Sequence, residues 1–181
     1  RGFTGRPKIA KFEGGYHGTH DAVEISVAPP LDKAGPADAP NAFPSGGGMG
    51  PYAGQDVVIL PYNDEAAVKK ILTLHREELA CVIYDPKAGI IPQRREFVRF
   101  MREVTRKLGL LLIFDEIVGF RLGTGGLQEY YGIDPDLTTF GKVVGGGLPA
   151  GAFGGRGDLM DLFDPTRDPP GFFQSGSFSA S

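Results

Sequence analysis

Lys142 is an amine set in permissive backbone: Gly141 precedes it, and Gly145, Gly146 and Gly147 follow within five residues. Such an amine carries little steric bulk around it. A lysine attacks an aldehyde only when neutral, and partial burial favours the neutral form by lowering the pKa. Read in isolation, the same lysine also fits a surface position beside a flexible loop. A phosphate-cradling P-loop is excluded. Asp136 stands where that motif needs its first glycine, and Val143 stands where it needs Ser or Thr.

Asp115 lies 27 positions earlier, directly after Leu110-Leu111-Leu112-Ile113-Phe114. The carboxyl end of an inner parallel strand is where α/β sheets bind ligands. A carboxylate there loses water and needs a cationic partner to stay ionised. A protonated pyridine nitrogen is one such partner; an N-cap role or a structural ion pair is the plainer alternative. Tyr16, with His17 and Gly18, follows Glu13-Gly14-Gly15. An aromatic side chain in such a turn can lie flat on a planar ring, a contact worth on the order of 1 kcal/mol beyond its area. It can equally pack on the core. His17 and His20 have an H-x-x-H spacing beside Asp21, but no convincing third ligand accompanies them. No metal is expected, and both histidines read as ordinary polar groups of a turn. In Gln174-Ser175-Gly176-Ser177-Phe178, backbone N–H groups and a hydroxyl are free to hold a phosphate. This is also a common loop composition.

These residues need a scaffold, and the hydrophobic pattern supplies one. Strands are expected at Lys8 to Phe12, Val57 to Pro61, Leu79 to Tyr84, Leu110 to Phe114 and Leu137 to Phe140. Tyr16 to Ser26 reads as the start of a helix. Asp64 caps a helix running to about Arg76. Arg94 to Leu108 carries Phe97, Phe100, Met101, Val104 and Leu108 at helical spacing, and Gly109 ends it. A short helix is expected from Asp158 to Phe163. Strands alternating with helices predict an α/β sandwich with a mainly parallel sheet.

Composition narrows the function classes. The chain has 181 residues, 41% of them hydrophobic, enough for one domain with its own core. A net charge of −3 argues against a general nucleic-acid binder. No run approaches the roughly 20 apolar residues of a membrane helix. The single cysteine, Cys81, excludes an internal disulfide and reads as a small buried hydrophobe, compatible with a reducing, cytoplasmic setting. The 28 glycines and 15 prolines concentrate between Ala28 and Gly54 and between Gly119 and Gly157. The chain starts at Arg1 and ends at Ser181 without terminal punctuation, so a piece of a longer protein is expected.

The order of the motifs is more specific than any one of them. A strand ending Asp115-Glu116-Ile117 is followed by Pro135-Asp136-Leu137-Thr138-Thr139-Phe140-Gly141-Lys142-Val143-Val144-Gly145-Gly146-Gly147 and Leu148-Pro149-Ala150-Gly151. With Lys11-Phe12-Glu13-Gly14-Gly15-Tyr16-His17-Gly18 and Pro61-Tyr62-Asn63-Asp64, this resembles the class III aminotransferases of fold type I. Within them it is most similar to the glutamate-1-semialdehyde 2,1-aminomutase branch. The likeness runs along nearly the whole chain and is weakest between Val27 and Gln55.

That resemblance implies a three-layer α/β/α sandwich, the large domain of the enzymes that depend on pyridoxal 5′-phosphate (PLP). Residues 1–181 would be part of this domain, with a phosphate loop upstream of Arg1 and a small domain beyond Ser181. It implies that Lys142 forms a Schiff base with PLP and shuttles a proton between the substrate Cα and the cofactor C4′. Asp115 would pair with the pyridinium nitrogen and keep the ring an electron sink. Ile117 would pack on one face of the ring and Tyr16 on the other. Ser177 would reach the phosphate of a neighbouring subunit's cofactor, in a homodimer.

The activity so implied is conversion of glutamate-1-semialdehyde to 5-aminolevulinate, a tetrapyrrole precursor. A class III transaminase with two separate substrates, or a member that keeps the fold without activity, are the alternatives. Two departures from the family pattern stand out, and the second bears on substrate choice. Asp85-Pro86-Lys87-Ala88-Gly89-Ile90 replaces the usual Glu-Pro and Gly-Asn of the family. The loop after Asp115 is one residue shorter than the commonest form.

Overall fold

Alternation along the strands decides how this sheet must be covered. In β1 (Lys8–Phe12), Ala10 and Phe12 belong to one apolar cluster and Ile9 to another. In β4 (Leu111–Asp115), Leu112 and Phe114 join the first cluster, while Leu111 and Ile113 pack against the second. Strands that are apolar on both faces need cover on both, the habit of inner parallel strands.

The computed structural model describes residues 1–86, 93–167 and 171–172. Besides β1 and β4 it contains β2 (Val57–Leu60), β3 (Leu79–Tyr84), β5 (Leu137–Phe140) and β6 (Ala152–Gly155). All six form one sheet in the order β2-β1-β3-β4-β5-β6. The first five are parallel, and β6 runs antiparallel to β5. The α/β class with a mainly parallel sheet is therefore as the sequence predicts.

Helices α1 (Glu65–Leu74), α2 (Arg95–Leu108) and α3 (Gly126–Tyr131) pack on one face, where Val68, Leu72, Phe97, Met101 and Leu127 meet Phe12, Tyr84 and Phe114. On the other face, Ile9, Ile59, Ala80 and Cys81 are covered by Ile25, with Ala22, Val23, Met49 and Ala53 beside it. Irregular chain between β1 and β2 thus does there what helices do in a full three-layer sandwich. Cys81 is the small buried hydrophobe expected, and burial pushes its thiol up to about 11.

The helix expected from Tyr16 does not form; the segment to Ser26 is turns and bends. Gly18 and Ser26 hold left-handed φ values of 102° and 51°, which interrupt any helical run. The backbone is instead stitched sideways. The Ser26 N–H donates to the Phe43 carbonyl at 2.6 Å, the Ser26 hydroxyl donates to the Asn41 carbonyl at 2.7 Å, and Ile25 bridges to Pro44. Lys11, fully buried, donates to the carbonyls of Phe12 and Ile25 and anchors the excursion to β1; burial lowers its ammonium pKa to about 8.

The helix ends follow local chemistry. The Asp64 carboxylate accepts from the Ala67 N–H at 2.9 Å, and Gly109 closes α2 at φ 67°. The Asp158 to Phe163 helix is present as α4 (Gly157–Met160), continued by a 3-10 turn (Asp161–Phe163).

Two elements were hidden from the pattern, α3 and β6. Half of β6 is glycine, which lowers strand propensity. Yet Gly155 is required by close approach: a Cβ there would fall on the Asp136 carbonyl oxygen and within 2.9 Å of the Leu137 Cα. Backbone atoms cannot step aside as a flexible side chain can. Gly155→Ala is expected to destabilise the intact protein by about 1–3 kcal/mol, read as a lower urea midpoint with an unchanged slope. An unchanged midpoint would show that β6 can shift away from β5 at no cost.

Candidate active site

In a parallel sheet, every strand delivers its following loop to the same edge. Here the loop after β1 brings Gly14, Tyr16 and His17, the end of β3 brings Asp85, the end of β4 brings Asp115 and Ile117, and the turn after β5 brings Lys142. These residues line one cavity of about 230 Å³. A larger cleft of about 350 Å³, lined by Arg1, His20, Tyr52 and Asp56 among others, contains none of them.

Asp115 is the most constrained member, at 5% exposure. Its Oδ1 accepts from the Ile117 N–H and the Thr139 hydroxyl, both at 3.1 Å, and its Oδ2 lies 2.7 Å from His17 Nδ1. The register that sets Asp115 opposite Thr139 across β4 and β5 makes the hydroxyl contact possible. Burial alone would raise the carboxyl pKa. The hydrogen bond and charge of His17, with the Ile117 N–H and the Thr139 hydroxyl, outweigh burial and hold it below the usual range.

Glu116 points its chemistry elsewhere. It is fully buried and accepts from the N–H groups of Leu127 and Gln128 at 3.1 and 2.8 Å, pinning the start of α3. Burial raises its pKa, the opposite direction from Asp115 one residue away. The loop between them and α3, which carries Ile117, is thereby tied down at both ends.

Lys142 opens a 3-10 turn (Lys142–Gly145) and is exposed, with φ 51°. A non-glycine residue in the left-handed region is strained, and such strain clusters at functional sites. The partial burial expected for its amine is not supplied by the described residues. Tyr16 is 54% exposed, so its ring is free to cover a ligand. Ser177 lies outside the described residues.

Two participants were not foreseen. Thr139 looked like an ordinary strand residue, and His17 a turn polar group; both hydrogen-bond Asp115. The signal for His17 was its place just past the end of a parallel strand, the same edge as Asp115.

A buried carboxylate suits a cationic ring nitrogen, an amine suits an aldehyde, and Tyr16 and Ile117 offer an aromatic and an aliphatic surface. The cavity therefore fits a planar, cationic, aldehyde-bearing ring. The family model for Aminotransferase class-III matches residues 1–180. The chain belongs to the class III aminotransferases. A glutamate-1-semialdehyde 2,1-aminomutase of Methanococcus maripaludis is 42% identical over 185 aligned positions, which cover 100% of this class III chain and 41% of the relative. Among solved structures, an omega-transaminase from Sphaerobacter thermophilus is 42% identical with a TM-score of 0.89, over 98% of this chain and 41% of its own. A transaminase with PLP bound is 35% identical with a TM-score of 0.85, over the same two shares. The chain thus spans about two-fifths of the length of these class III relatives.

Proposed function

We propose that this chain is the central part of the large domain of a PLP-dependent enzyme that moves amino groups, with Lys142 as the residue that bonds the cofactor. The observation that carries this is the convergence of Lys142, Asp115, Tyr16 and Ile117 on one cavity at the carboxyl edge of a parallel sheet. When bound, PLP supplies an aldehyde for the substrate's amino group and a ring that accepts the electron pair left at carbon. Asp115 would pair with the ring nitrogen and favour its protonated form. Tyr16 and Ile117 would offer an aromatic and an aliphatic surface to the ring. Lys142 would bond the cofactor aldehyde and, as a free amine, would take a proton from the substrate carbon and return it where the product forms. Ser177 remains the proposed phosphate contact, and the homodimer it requires belongs to the same proposal. The exposed Val143, Val144 and Leu148 beside Lys142 are consistent with an apolar contact there. The buried free thiol of Cys81 accords with a cytoplasmic setting.

For the substrate, the curated relatives support glutamate-1-semialdehyde, whose amino group would leave one carbon and return to its neighbour to give 5-aminolevulinate. A second reading, transamination between two separate substrates, is favoured by the close superposition on the omega-transaminase. The intact protein is expected to form 5-aminolevulinate from glutamate-1-semialdehyde with no added keto acid. A strict keto-acid requirement would replace the aminomutase reading with the transaminase one.

A further inference from the structure

The side chain of His17 is 1% exposed, and its Nδ1 is 2.7 Å from Asp115 Oδ2. Building on the PLP reading above, we propose that His17 is a positioning residue: through its Nδ1 hydrogen bond it holds Asp115 in place and in its charged form for the cofactor's ring nitrogen. An ionised carboxylate can only accept, so the shared proton belongs on Nδ1. The other ring nitrogen, Nε2, is buried and has no hydrogen-bonding partner among the described residues. A histidine kept only for packing gains nothing from a buried nitrogen left this way.

The charges around Asp115 show why it needs this partner. Asp85, after β3, lines the same cavity, and Glu116 is its buried neighbour in sequence; both are acidic and oppose a further negative charge. Tyr62, after β2, is a neutral phenol that donates to the Asp85 carbonyl at 3.3 Å and does not reach Asp115 by hydrogen bond. Thr139 and the Ile117 N–H are neutral donors. Lys142 is the single lysine or arginine among the described lining residues, and its amine is committed to the cofactor aldehyde. His17 is left as the cavity's standing donor with a capacity for positive charge. Without it, burial and two nearby acids would act on Asp115 with only neutral hydrogen bonds against them, and its carboxyl would protonate at a higher pH.

The test uses the intact protein and pyridoxamine 5′-phosphate, which carries the ring nitrogen but cannot condense with Lys142. In His17→Asn the amide nitrogen occupies the place of Nδ1; in His17→Gln it occupies that of Nε2. Equilibrium binding is measured from pH 8 to pH 5.5. His17→Asn keeps the hydrogen bond without the charge and is expected to lie between the wild-type and His17→Gln profiles. His17→Gln is expected to weaken progressively relative to wild type, by up to about tenfold for each pH unit below the raised Asp115 pKa. A constant ratio of Gln to wild-type affinity across the range would make His17 a packing residue and overturn the proposal. A wild-type protein that binds the probe at no pH would instead remove the PLP reading on which the proposal stands. If the Gln protein does not fold, the imidazole ¹⁵N shifts of wild-type His17 decide. A proton on Nδ1 throughout supports the proposal, and a proton on Nε2 alone overturns it.

Discussion

Lys142→Ala in the intact protein is expected to abolish the adduct that borohydride traps between enzyme and PLP, and to lower turnover by at least roughly 10²–10⁴, the usual worth of a positioned proton-transfer group. Both losses have one cause. Lys142 is the single lysine or arginine among the described residues of the cavity, so no neighbouring amine is placed to substitute for it. The fold should not share the loss. Lys142 is exposed, on a short 3-10 turn outside both apolar clusters. Unfolding midpoints of the two proteins should therefore agree, which separates a chemical effect from a structural one. The same assay tests the remaining alternative, a member that keeps the fold without activity, because that protein would give no reducible adduct even with Lys142 in place. A reducible adduct of unchanged yield in the Ala protein would reject the central role given to Lys142.

How much of this was legible beforehand depends on which interactions are local. The strand ending at Asp115 announces itself because five consecutive apolar residues leave it no polar face. The α2 helix is marked by its spacing and its terminal glycine, and β4 begins and ends within one residue of expectation. Tyr16, Asp115, Ile117 and Lys142 could be placed at one edge because parallel strands deliver their ends together. The ring-packing role of Ile117 and the neighbouring subunit's phosphate as the target of Ser177 came only from the resemblance.

The unread parts depend on contacts between distant residues. His17 meets Asp115 across the end of β3, 98 positions away in sequence, and no local pattern reports such a pairing. The helix expected at Tyr16 does not form because the bonds between Ser26 and the distant Asn41 and Phe43 hold that segment in another path. In β6, Gly155 is required because the Asp136 backbone passes close to it, whereas Gly154 faces open space. Propensity treats that glycine as a penalty, whereas the packing makes it a requirement.

Asp136→Ala is expected to cost about 3–5 kcal/mol, the range for breaking a buried ion pair by removing one partner. Asp136 is 3% exposed and joins four parts of the sheet layer. Its Oδ2 accepts from Arg102 Nη1 of α2 at 2.7 Å and from the Leu112 N–H of β4 at 2.8 Å, and its Oδ1 accepts from Arg156 Nη1 beyond β6 at 2.9 Å. It sits itself at the entry to β5. Alanine would leave the Leu112 N–H without its acceptor and the Arg102 guanidinium, only 11% exposed, without its counter-charge. Arg156 is 45% exposed and can turn to water or to Asp158, so it adds less. The pH dependence follows from the same contacts. Burial raises the Asp136 carboxyl pKa, but the hydrogen bonds of Arg102, Leu112 and Arg156 overcome it, leaving the pKa below its usual value. A carboxyl whose folded pKa is depressed stabilises the fold above its unfolded value of about 3.9, and that contribution is lost as pH falls through the folded value. The stability gap between wild type and Asp136→Asn, by urea denaturation, should therefore be widest at neutral pH and shrink below about pH 4. Because β5 leads from Asp136 to Thr139 and on to Lys142, the Ala protein should also bind pyridoxamine 5′-phosphate less tightly while still folded. A gap that stays constant down to pH 3, or an Ala protein as stable as wild type, would mean that Arg102 and Leu112 find other partners and that Asp136 does not lock the strand carrying the site.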